Sequence, residues 1–150
     1  MKKIMIALVM LAPASAVYAG DLESKLIDND AVTIDHSTQL MWAQDGAGAG
    51  CNNSEALSWN EAKAYCESLK FASYTDWRMP AKNELFSIAG NGYGVRDRAF
   101  FPNTVKYWYW NTEDYDPDSI TAKLARKSHG LVGLDNNTGA YFIRCVRTDS

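Results

Sequence analysis

Few side chains in this chain of 150 residues have the type and spacing to do chemistry. Its two histidines, His36 and His129, stand far apart in a turn and a loop, with no H-x-x-x-H pair and no Cys-x-x-Cys, so no zinc ligand set is present. No G-x-S-x-G occurs. Gly90-Asn91-Gly92-Tyr93-Gly94 departs from the dinucleotide fingerprint because Val95 stands where its last glycine belongs. The expectation is a protein that is not an enzyme and needs no metal or cofactor.

What remains is recognition chemistry. Tyr107, Tyr109 and Tyr115 offer ring faces that suit the apolar faces of sugars. Asn111, Glu113 and Asp114 beside them offer partners for hydroxyls. The acidic run Glu113–Asp118 is tested as a calcium loop and fails the EF-hand pattern. Counting from Asp114, Ser119 takes the glycine position and Ala125 the bidentate glutamate position. It reads as a solvated acidic loop. Lys123, Arg126 and Lys127 form the one local cluster of cations, and their plain reading is a solvated edge. For the aromatic run Tyr107–Trp110 the plain reading is core. Trp110 is expected to be buried, while Tyr107 or Tyr109, on the opposite face of a strand, stays partly exposed.

Compartment and charge narrow the partners. Lys2 and Lys3, the apolar stretch Ile4–Leu11 and the tripeptide Val17-Tyr18-Ala19 have the layout of an export signal cleaved between Ala19 and Gly20. The apolar stretch is too short to span the roughly 30 Å of a bilayer core. One folded domain is therefore expected, over 20–150, behind a signal peptide over 1–19. Loss of Lys2 and Lys3 leaves 13 basic side chains against 18 acidic ones, a net charge of −5. A mildly acidic surface argues against nucleic acid, and against a membrane partner once the signal is gone. The destination is the periplasm, the cell surface or the medium.

The elements that must position these residues can be read from periodicity. Val32 and Ile34, the turn His36–Gln39 and the run Leu40–Trp42 make an N-terminal hairpin. Gly46–Gly50 reads as a flexible surface loop. Ser58 and Glu61 form a capping box, and Trp59, Ala62, Cys66 and Leu69 line one face of the helix that follows. A second helix is expected from Pro80, carrying Leu85, Ile88 and Ala89, and ending at Gly90. Asn91–Thr104 should wander over the surface. Tyr107–Trp110, Leu131–Leu134 and Ala140–Arg147 read as strands, the last two joined by a turn over Asn136–Gly139. Early helices, later strands and long loops define an α+β domain, with two helices on a small, mostly antiparallel sheet.

Six segments occur in a telling order: Leu40-Met41-Trp42; Ala64-Tyr65-Cys66; Asp76-Trp77-Arg78-Met79-Pro80 with Glu84-Leu85; Phe101-Pro102-Asn103-Thr104; Tyr109-Trp110-Asn111-Thr112; and Arg144-Cys145-Val146-Arg147. In these the chain resembles the Lcl C-terminal domain family from about Val32 to Arg147. The resemblance implies a C-type-lectin-like fold, distantly similar to formylglycine-generating enzymes, and an exported module used in adhesion, with sulfated glycosaminoglycans as an associated ligand. A formylglycine-type oxidase would need a reactive cysteine pair near the end of the chain, which Cys145 alone cannot supply. Two positions depart from the family pattern: Gln39 stands where Gly is usual, and Asn111 where Ser is common.

Three cysteines in an exported chain suggest one disulfide and one spare thiol. Cys66 faces the core of a capped helix and Cys145 shares a strand face with Tyr141 and Ile143, so these two are the expected pair. The resemblance, with its bridge from first helix to last strand, agrees. Cys51 is left as a buried small hydrophobe, a partner across a dimer, or an alternative mate for Cys66. Trp77 should nucleate core, and Arg78 should clamp Glu84 in a bidentate pair, which gives both a structural role. The functional expectation is an exported binding module for a glycan or protein ligand. The alternative is a structural subunit of a periplasmic or extracellular assembly, a homo-oligomer with Cys51 and the aromatic strand as contacts.

Overall fold

The structure is a computed structural model and describes residues 17–90, 95–105, 109–113 and 140–150. Its architecture is α+β. Five strands, β1 (Val17–Ala19), β2 (Leu22–Ile27), β3 (Asp30–Asp35), β4 (Leu40–Ala43) and β5 (Val146–Thr148), lie in that order in one antiparallel sheet.

The connections follow from turn chemistry. Asp28 and Asn29 both hold positive φ, as a two-residue hairpin turn between β2 and β3 requires. The expected hairpin of β3 and β4 is present, with Ile34 opposite Met41 and Val32 opposite Ala43. Gln39 closes its turn at φ +56°. The sequence reading did not include β2, although Leu22, Ser24 and Leu26 alternate with polar residues and Asp-Asn follows directly.

Helix α1 (Trp59–Ser68) starts at the expected capping box: the Glu61 amide donates to Ser58 Oγ and the Ser58 amide to Glu61 Oε2. Helix α2 (Lys82–Ile88) begins two residues after Pro80, because the Glu84 carboxylate accepts the Ala81 amide and sets the first turn there.

The sheet has a core on each face. On one side Val32, Ile34, Met41 and Ala43 pack with Ala62, Cys66 and Leu69 of the α1 region, together with Trp77 and Trp110. On the other Leu22, Leu40, Trp42 and Val146 pack with Leu85 and Ile88 of α2, Val95, Phe100, Phe101 and Tyr109. Three expectations change in consequence. The stretch Asn91–Thr104 does not simply wander over the surface, since Val95, Phe100, Phe101 and Thr104 are buried. Gly46 and Gly50 are packed rather than free: a Cβ on Gly50 would stand 2.2 Å from Ala43 Cβ, and one on Gly46 2.3 Å from the Asn103 carbonyl oxygen. Glycine is needed there for close approach.

The third change concerns the closing strand. Within Ala140–Arg147 only Val146 and Arg147 belong to a ladder. Upstream, the chain changes partner at nearly every step: Tyr141 bridges Leu57, Phe142 bridges Tyr109, and the Cys145 amide donates to the Gly50 carbonyl. The expected Tyr107–Trp110 strand is reduced, among the described residues, to that single parallel bridge at Tyr109. The expected strand Leu131–Leu134 and turn Asn136–Gly139 lie outside the described residues.

Candidate functional site

The motif residues come together first, and they come together to hold the fold. Arg78 and Val146 exchange backbone hydrogen bonds of 2.8 and 3.0 Å, which fastens Asp76-Trp77-Arg78 to Arg144-Cys145-Val146-Arg147. Beside this bridge, Arg147 grips Asp76 with Nε to Oδ1 at 2.7 Å and Nη2 to Oδ2 at 3.2 Å, while its guanidinium lies over Tyr74. The hydrogen bonds from Arg147 hold the Asp76 carboxyl below its usual range.

Arg78 makes the expected fork to Glu84, at 2.6 and 2.8 Å. Burial pushes the Glu84 carboxyl up, but the Arg78 fork and the Ala81 amide together outweigh it and hold the group below the ordinary range. Trp77 is buried and its indole N–H donates to the Phe71 carbonyl at 2.9 Å.

The cysteines behave as expected. Cys66 and Cys145 are bonded, tying α1 to the chain entering β5. Cys51 is free and buried, and burial pushes its thiol up, with Arg144 opposing. That leaves a packed thiol rather than a nucleophile.

Arg144, to which the sequence reading gave no role, is the structural centre of the second motif. It is 1% exposed and donates to the carbonyls of Ala43 (2.5 Å) and Gln44 (2.7 Å) and to Thr104 Oγ1 (2.7 Å). Its guanidinium stands 5.4 Å from the Phe101 ring centre. A cation inside the apolar run Tyr141–Val146 was the signal that could have found it. Among the described residues the indole N–H of Trp42 is the one buried side-chain polar atom without a partner.

The ligand platform fares differently. Trp110 is buried as expected, with its indole N–H donating to the Leu57 carbonyl at 2.6 Å and its ring edge-on to Tyr141. Tyr109 is buried too, at 2% exposure, and burial pushes its phenol up to about 12. Alternation along the segment is real, since Trp110 enters one core and Tyr109 the other. Because both faces are covered, the alternation exposes neither ring, and Tyr109 is withdrawn from the platform.

Asn111 is withdrawn as well. It is 1% exposed, its Oδ1 accepts the Glu113 amide at 2.9 Å, and its carbonyl accepts the Trp59 indole N–H at 2.9 Å. Glu113 is exposed. Tyr107, Asp114, Tyr115, Lys123, Arg126 and Lys127, with the rest of the acidic run and His129, lie outside the described residues. The structure thus describes the two flanks of this segment. The Trp110 amide donates to the Phe142 carbonyl and the Thr112 amide to the Pro80 carbonyl.

Among the described residues no group of three His, Cys, Asp or Glu could hold a metal ion, and no helix is long and apolar enough to cross a membrane. No curated protein and no solved structure matches the chain. The family model of the Lcl C-terminal domain matches residues 31–147, which points to a domain of extracellular type. On that match the chain belongs to the Lcl C-terminal domain family.

Proposed function

We propose that the chain is made with an export signal over residues 1–19, and that the rest is a non-catalytic recognition module of lectin-like fold. It works at or beyond the cell surface by holding a glycan, as an adhesive domain does. The observation that carries this reading is how the family's motif residues are used. Trp77, Arg78, Glu84, Trp110, Asn111, Arg144 and Arg147 are committed to internal contacts. Thr112 and Glu113 are exposed, and Asp114, Tyr115, Lys123, Arg126 and Lys127 follow them in the sequence. Variable recognition residues on a fixed scaffold are a common arrangement.

Within that segment the three cations suit a sulfated glycan, and such binding weakens as salt screens it. An array of sulfated and neutral glycans, probed with the processed protein at low and high salt, tests the reading. Expected is capture of sulfated chains that high salt abolishes and that Lys123→Ala with Arg126→Ala removes. Salt-insensitive capture lost instead in Asp114→Ala with Tyr115→Ala would identify a neutral sugar as the ligand. Capture that survives both pairs would place the site elsewhere.

A further inference from the structure

The outer edge of β2 is covered by β1, and β1 consists of the last three residues of the segment we assign to the export signal, so the following rests on that assignment. Val17 pairs with Ser24, Tyr18 with Glu23 and Ala19 with Leu22. Cleavage after Ala19 takes this strand away and leaves β2 as the edge of a four-stranded sheet.

The hydrogen-bond pattern of that edge follows from the turn on its other side. The two-residue turn Asp28-Asn29 makes Ile27 and Asp30 a hydrogen-bonded pair, and such pairs alternate along an antiparallel ladder. Ile27, Lys25 and Glu23 therefore spend their backbone groups on β3. The Asp21 carbonyl continues the series by accepting the His36 amide at 2.9 Å. Leu22, Ser24 and Leu26 turn their N–H and C=O groups outward. A bare edge of this kind is a template for another strand.

We propose that in the processed protein this edge pairs with the β2 edge of a second copy, antiparallel and centred on Ser24, to make one continuous eight-stranded sheet. The register is chosen by charge. Centred on Ser24, Glu23 of each copy stands opposite Lys25 of the other, in the closely spaced non-hydrogen-bonded pairs where opposite charges help most. Centring on Glu23 or on Lys25 would instead set like charges face to face. The same Ser24 register puts Leu22 opposite Leu26. Leu26, 59% exposed, is the most exposed large apolar side chain among the described residues and would gain an apolar neighbour. Every outward group of Leu22, Ser24 and Leu26 then finds a partner, as a two-fold interface requires.

The test begins with protein exported by an expressing bacterium, with its N-terminus read by intact mass. A product that still carries Val17–Ala19 overturns the proposal, because its edge stays covered, and shows the fault to lie with the assigned signal. For a product beginning at Gly20, sedimentation equilibrium at tens of micromolar should give the mass of two copies, with or without reductant. Lys25 is exposed, so Lys25→Glu should keep the fold and weaken pairing at least tenfold; Glu23→Lys, which also gives up the 2.8 Å bond between the buried Glu23 carboxylate and His36, should weaken pairing likewise. Mixing the two variants restores complementary pairs and should restore dimers, a result that damage to the fold could not produce. A Gly20-starting protein that stays monomeric, or a dimer indifferent to Lys25→Glu, overturns the proposal.

Discussion

Gln39 takes a backbone conformation that favours glycine. At φ +56° its Cβ crowds the following carbonyl, a conformation that costs an L-residue about 1–2 kcal/mol. The turn is kept because β3 and β4 pair on either side of it, and because the Gln39 carbonyl accepts the Asp149 amide at 2.9 Å. Replacing Gln39 with Gly should therefore stabilise the protein by about 0.5–1 kcal/mol, after the entropy glycine costs. Urea unfolding of the two proteins measures it, and a loss of stability would contradict the account.

Cys51 makes the opposite kind of statement. Its buried, upward-shifted thiol should resist iodoacetamide in the native protein at pH 8 and react fully after denaturation, as mass spectrometry reads directly. Roles of this local kind were legible where one neighbour decides them, as for the Arg78–Glu84 fork. Tyr109 was not legible, because its burial depends on a second core that its own neighbours do not announce.

Helices obey the same rule. Helix α1 could be read from sequence because its cap and apolar face lie within a dozen consecutive residues. The run 140–147 could not, since its partners are Leu57, Tyr109, Gly50, Arg78 and β4, scattered through the chain. At the start of α2, Glu84 joins Arg78 to the Ala81 amide, and its stability contribution depends on ionisation. A carboxyl whose folded pKa is depressed contributes fully above its unfolded pKa, here the ordinary 4.5, and the contribution is lost as pH falls through the folded value. Glu84→Gln should thus be less stable than the parent at pH 7. The gap should shrink below pH 4.5, where the parent loses the advantage. Thermal melts across pH 3–7 decide it, and a gap that widens on acidification would refute the role given to the fork.

At the scale of the molecule the disulfide closes the largest defined loop, a separation of 79 residues between Cys66 and Cys145. In the chain-entropy picture a loop of that size is worth about 4–5 kcal/mol. Cys66→Ser and Cys145→Ser should each lose an amount of that order in denaturant unfolding. The double variant should lose no more than the worse single one, because both remove the same crosslink. The candidate site was less legible than the fold. Its polar and aromatic residues signal recognition by type, but the burial of Tyr109 and Asn111 is decided by how Tyr109–Glu113 and Ala140–Cys145 dock.

Those two flanks also fix where the ends of the interval between them lie. Trp110 and Thr112 are fastened on the near side, and Tyr141, Phe142 and Cys145 on the far side, by bonds that involve no residue from 114 to 139. Trp110 and Phe142, bonded to each other through the Trp110 amide, hold the two ends of that interval side by side, as a clasp holds the two ends of a cord.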